Sequence, residues 1–188
     1  MRRALIVAIV FAFVFGSVRP PCPAPIEPMP SAMQGMMAAM EHRQRREDAQ
    51  TILWNFGLRA GVVRPITLAV SSACATACVD IGTSVGAVYV LIDDSTLFLD
   101  RVALEVTLAH EIGHVAAGHV AKWKTLTLSQ KEACEREADA YALGMVGEAR
   151  YREYLASAKV DPEQAERTIA RLRSIPILLP PTTVKSLI

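Results

Sequence analysis

With 188 residues, 20 Lys and Arg against 19 Asp and Glu, and a formal charge of +1, the chain has no basic excess with which to hold a nucleic-acid backbone. The length allows one domain with an appendage and enough chain to bury a core, and no internal repeat divides it. Its 52% hydrophobic content is explained in part by the N-terminus.

Residues 1–18, MRRALIVAIVFAFVFGSV, place Arg2 and Arg3 before an apolar run from Ala4 to Val18. That run suits the apolar centre of a signal peptide and falls short of the roughly 20 residues of a bilayer-spanning helix. Arg19, just after it, fits the flank of a retained anchor. On both readings the basic end stays in the cytoplasm and the rest is exported, to the periplasm or the extracellular side. The anchor reading adds membrane association through the N-terminus. Residues 19–30 are crowded with proline and read as a stiff linker. A folded domain is expected over residues 31–175, with a C-terminal tail over 176–188.

Residues 31–60 predict a helix with Met33, Met36, Met37 and Met40 along one side, a stripe suited to flexible core or membrane-surface packing. His42 falls in its charged stretch and reads as solvated. Pro65 to Ser71 and Gly86 to Ile92 are short β-rich runs that predict a small sheet. An edge strand of that sheet could bind an extended peptide by strand addition. Of the cysteines, Cys74 and Cys78 are close enough to oxidise in an exported chain, although spacing alone does not pair them, and Cys22 and Cys134 stand apart.

Residues 105–120, EVTLAHEIGHVAAGHV, follow Asp100, which is placed to cap a helix. The segment is apolar on nearly every side and predicts a buried helix. His110 and His114, four residues apart, project from one face and can share a metal ion. Glu111 lies about 100° round the helix, placed to take a proton from an attacking water without being a ligand. Burying two His and a Glu without partners would be costly, and a metal supplies the partner.

Ser129 and Glu132 give a capping-box signal for a second helix that runs to Val146 and stops at Gly147. On it, Glu135 and Asp139 share a face, whereas Glu137 points away and reads as a solvated charge. A zinc hydrolase needs a third protein ligand and an open position, and each ligating His needs a partner for its other nitrogen. Glu135 as ligand and Asp139 as the carboxylate orienting a His meet both needs. His119 is the rival ligand, but it falls five residues after His114 without the spacing of HExxHxxGxxH and reads as a helix-end residue. Cys78 could be a third ligand as in peptide deformylases, but ATACVDIG lacks their flanking sequence.

HEIGHVAAGH followed by ExEAD resembles the gluzincin peptidases of the HtpX and CAAX-prenyl-protease type, including their small single-domain minigluzincin relatives. Residues 162–172 are similar to that family's HPxxxxRIxxL segment, with Asp161 in place of its His and Thr168 as an extra residue. The resemblance covers about residues 86–172. It implies a zinc-dependent endopeptidase acting on protein or peptide substrates, one zinc per chain held by His110, His114 and Glu135, and Glu111 as the base. Arg167 or Tyr141 would then be the candidates to stabilise the transition state. The fold expected is α+β and zincin-like: an HExxH helix and a ligand helix packed on a small sheet, with extra N- and C-terminal helices. Two other readings use the same residues. One is an intracellular ImmA/IrrE-like regulatory peptidase, which would lack an export signal. The other is an exported adaptor in which zinc only staples two helices.

Overall fold

The structure is a computed structural model that describes residues 30–72, 76–81 and 86–179. The expected signal or anchor, Cys22 and Cys74 lie outside these residues. Among the described residues the chain is α+β, with seven α-helices and a three-stranded mixed sheet. No helix among them is long and apolar enough to cross a membrane.

Helix α1 (Ser31–Arg59) is buried against the domain through its second half, where Ala49, Ile52, Leu53 and Phe56 recur at helical spacing. The methionine stripe lies ahead of that contact, and all four of its residues are more than half exposed, so it is not core. His42 is partly exposed, as expected, and bonds the exposed Asp94 through Nε2 at 3.1 Å.

Strands β1 (Ile66–Val70), β2 (Ala77–Ile81) and β3 (Val88–Ile92) lie in the order β1-β3-β2, with β1 parallel and β2 antiparallel to β3. The alternation in VYVLI buries Val88, Val90 and Ile92 completely, which makes β3 the centre of the sheet. The side chain of Gln50 accepts from Leu68 N at 2.7 Å and donates to Ile66 O at 3.1 Å, so α1 occupies backbone groups on the open side of β1. Strand β2 was not anticipated. Its ACVDI has no clear alternation, and pairing to β3 is what extends it.

After the short helix α2 (Asp94–Leu97), Asp100 caps helix α3 (Arg101–Ala116) by accepting from Val102 N at 3.0 Å and Ala103 N at 2.9 Å. Leu104, Leu108 and Ile112 bury α3 in the core, as its composition predicts. Gly118 then takes a left-handed conformation, φ 68°, and reverses the chain into the short helix α4 (His119–Lys122).

The cap of helix α5 (Leu128–Val146) lies two residues before the expected one. Thr127 and Gln130 form the capping box, because Leu128 and Ser129 are already inside the first turn. It ends at Gly147, φ 85°, as read. Helices α6 (Glu148–Ser157) and α7 (Pro162–Arg173) close the domain. Asp161, which replaces the His of the resembling segment, caps α7 by accepting from Glu163 N and Gln164 N. Ile175, Ile177 and Leu179 pack on the core, so domain contacts continue past residue 175.

The most extensive helix contact among the described residues is between α3 and α5, and Gly113 permits its close approach. A Cβ there would lie 2.9 Å from both Ala138 O and Tyr141 Cβ. Gly113→Ala should therefore push the helices apart and destabilise the fold, by roughly 1–3 kcal/mol for overpacking less the roughly 1 kcal/mol that Ala gains as a helix former. Urea unfolding of the variant checks this, and unchanged stability would mean that α5 can retreat without cost.

Candidate metal centre

The helical spacing of HEIGH puts both imidazoles on the α3 face that meets α5, and α5 brings its acidic residues to the same point. His110 Nε2 lies 3.0 Å from His114 Nε2, and Glu135 Oε2 lies 3.2 and 3.6 Å from these two atoms. A tetrahedral ion with bonds of about 2.0–2.1 Å holds its donor atoms about 3.3 Å apart, which is the spacing found. His110, His114 and Glu135 together form a group able to hold a metal ion.

The outer nitrogens explain why these three atoms face one another. His110 Nδ1 is 2.9 Å from Asp139 Oδ1, so that carboxylate fixes the ring with its proton on Nδ1 and its Nε2 lone pair turned inward. His114 Nδ1 is 3.0 Å from His119 Nδ1, and His119 Nε2 is 3.1 Å from Glu137 Oε2. A ligating His114 carries its proton on Nδ1 and donates to His119. His119 must then carry its own proton on Nε2 and donate to Glu137. Two imidazole lone pairs and a carboxylate oxygen aimed at one point repel one another unless a cation sits among them. The donor set therefore fits a divalent metal.

This corrects one expectation and adds to another. Glu137 is not a solvated charge but the acceptor at the end of the chain from His114. His119 does lie at a helix end, as the first residue of α4, but it is fully buried beneath His114 and bonds it. A continuous helix would carry a residue at i+5 about 140° away from His114. The left-handed Gly118 breaks the helix and folds His119 back, so Gly118 was the signal in the sequence for this contact. Cys78, weighed as a ligand, is disulfide-bonded and has no thiolate to offer.

No family model, curated protein or solved structure matches this chain. The chemistry of the centre rests on its own geometry.

The centre opens into a cleft of about 680 Å³, lined by Thr76–Asp80 at β2, by Glu111 and by Trp123 among others. Trp123 meets the His114 ring edge-on at 5.5 Å and walls one side. Glu111 is 7% exposed and accepts no hydrogen bond from the described residues, so its carboxylate faces the cleft unpartnered. Burial raises its pKa to about 7 against the opposing charge of His110. Burial also lowers His114 to about 4. In His110 burial is outweighed by its bonds to Asp139 and Glu135, which hold it up at about 10. The bond to His110 in turn holds Glu135 below the usual carboxylate range. In the metal-free protein a proton on His110 thus takes the place of a metal.

A base raised in the folded state contributes stability fully present below its ordinary pKa and lost as pH rises through the folded value. For His110 that window runs from about 6.5 to about 10. His114 has largely completed its change by pH 7, whereas Glu111, raised to about 7, is still ionising there and adds to the loss just above it. Metal-stripped protein should therefore lose thermal stability between pH 7 and 9, while the stabilisation conferred by added zinc should grow over the same interval. Melting curves with chelator and with zinc test both. A flat chelator curve would mean that His110 is already neutral.

Proposed function

We propose that this protein is a zincin-like, zinc-dependent metalloendopeptidase that hydrolyses peptide bonds of exported or membrane-associated proteins. The observation that carries the reading is the convergence of His110 Nε2, His114 Nε2 and Glu135 Oε2 beside an unpartnered, buried Glu111. A bound zinc would supply a Lewis acid that polarises a carbonyl and lowers the pKa of water.

The chain's own groups do the rest. Asp139 and His119 orient the two imidazoles, the latter backed by Glu137. Glu111 accepts the proton of the attacking water and passes it to the leaving amine. Its raised pKa suits it to both halves of that task near neutral pH. Strand β2, the edge of the sheet that borders the cleft, suits a substrate bound as an added strand. The disulfide at Cys78 supports export over the intracellular-regulator reading, because such bonds persist in oxidising compartments.

The test is hydrolysis of an unfolded casein-type substrate by purified protein, with metal analysis of the same preparation. Activity should vanish with a chelator and return with zinc. Stoichiometric zinc without hydrolysis would instead favour the adaptor in which the metal only staples helices.

A further inference from the structure

Hydrolysis of an amide places negative charge on the carbonyl oxygen, and a second donor beside the metal would stabilise it. Neither residue expected from the sequence is placed for this. Arg167 is exposed and pairs with Glu163, and Tyr141 is buried in the core; neither lines the cleft.

Helix α6 supplies the candidate. Tyr151 and Tyr154, three residues apart on one face, both line the cleft with His110, Glu111 and Asp139. Tyr151 is 3% exposed, yet its hydroxyl makes no hydrogen bond to the described residues. No fully buried side-chain polar atom among those residues lacks a partner, so this hydroxyl keeps some exposure, on a side chain that lines the cleft. An unpartnered phenol on an otherwise enclosed ring is what a hydrogen-bond site for a ligand looks like. The ring is held in place: Tyr154 meets it edge-on at 5.8 Å, and the neighbouring Arg150 pairs with Glu105 at 3.2 Å, fastening α6 to α3.

We propose that Tyr151 is a catalytic residue whose hydroxyl donates a hydrogen bond to the carbonyl oxygen of the scissile peptide as that oxygen gains charge. The proposal rests on the metallopeptidase reading above. As the water oxygen bonds to the carbonyl carbon, the π pair of the C=O bond moves onto oxygen, and Tyr151 stabilises it while keeping its own proton. When the C–N bond breaks, that pair re-forms the C=O bond. The nitrogen leaves with the C–N pair and takes the proton held by Glu111. Burial and the nearby Asp139 carboxylate raise the Tyr151 pKa, so the phenol stays protonated while it donates.

The experiment compares full-length wild type, Tyr151→Phe and Tyr154→Phe, each loaded with zinc. Tyr151→Phe should lower kcat/KM on the order of 100-fold, mostly in kcat. It should also weaken binding of a phosphonate peptide, whose tetrahedral oxygens resemble the transition state, while product-peptide binding, zinc content and melting temperature stay as in wild type. Equal kcat/KM in Tyr151→Phe and wild type would overturn the assignment, and so would a loss confined to Tyr154→Phe. Were Tyr151→Phe to unfold, 3-fluorotyrosine at position 151 keeps the shape and acidifies the phenol. The more acidic hydroxyl is a stronger donor, so phosphonate affinity should rise while product-peptide affinity does not, and an unchanged phosphonate affinity would overturn the role. If zinc-loaded wild type hydrolyses nothing, the metallopeptidase reading itself fails, and the role of Tyr151 fails with it.

Discussion

Replacing Glu111 with Gln should lower peptide hydrolysis by about 10²–10⁴-fold, the usual contribution of a positioned base, while zinc stays bound. Gln has the shape of Glu but cannot accept the proton of the attacking water. The geometry predicts that little else changes. Glu111 lies outside the converging donor set and accepts no hydrogen bond from the described residues that the substitution would break. Its raised pKa means that ionising it in this site is unfavourable. A neutral amide removes that penalty, so the metal-free variant should melt at a higher temperature than metal-free wild type at pH 8, where the wild-type carboxylate is charged. Activity, zinc content and melting temperature are read from one preparation. Residual activity above about a tenth of wild type would exclude Glu111 as the base. Loss of zinc would instead place the carboxylate among the ligands.

The parts of this site that were legible in the sequence depend on helical phase within a single helix. His110 and His114 at i, i+4 must share a face, as must Glu135 and Asp139, and the caps at Asp100 and Gly147 fix where their helices begin and end. What was not legible depends on how separate elements meet. The phase of α5 correctly sets Glu137 apart from Glu135 and Asp139, but it does not say what that other side faces. Only the left-handed Gly118 brings His119 there. Tyr151 was missed for the same reason: its spacing with Tyr154 and Leu155 resembles any core-facing stripe, and the packing of α6 on α3 decides that this stripe borders a cleft. Strand β2 exists because β3 has an open edge to pair with, a property of the sheet and not of ACVDI. The capping box failed by two residues because Ser129 and Glu132 imitate a motif that Thr127 and Gln130 complete.

Three carboxylates within five residues of α5 should respond differently when each is replaced with Ala. Glu135→Ala removes one of three protein donors and should abolish stoichiometric zinc and activity together. Asp139→Ala frees the outer nitrogen of His110 and should weaken zinc binding about 10–100-fold. Glu137→Ala, on a half-exposed residue without access to the metal, should also weaken zinc, because it acts through His119. Without Glu137 the fully buried His119 keeps an Nε2–H with no acceptor, which costs about 1–3 kcal/mol. His119 can shed that cost by moving its proton to Nδ1, the tautomer that cannot accept from His114. Coupling distinguishes this chain from a local packing defect. The effects of His119→Ala and Glu137→Ala on zinc affinity should not add, since both break the same support of His114, whereas Glu137→Ala and Asp139→Ala act on different imidazoles and should add. Competition titrations with a chelator of known affinity measure each variant and each pair. Undiminished zinc affinity in Glu137→Ala would reduce its bond with His119 to an ion pair that does not reach the metal. Zinc retained at full stoichiometry in Glu135→Ala would remove Glu135 from the ligand set.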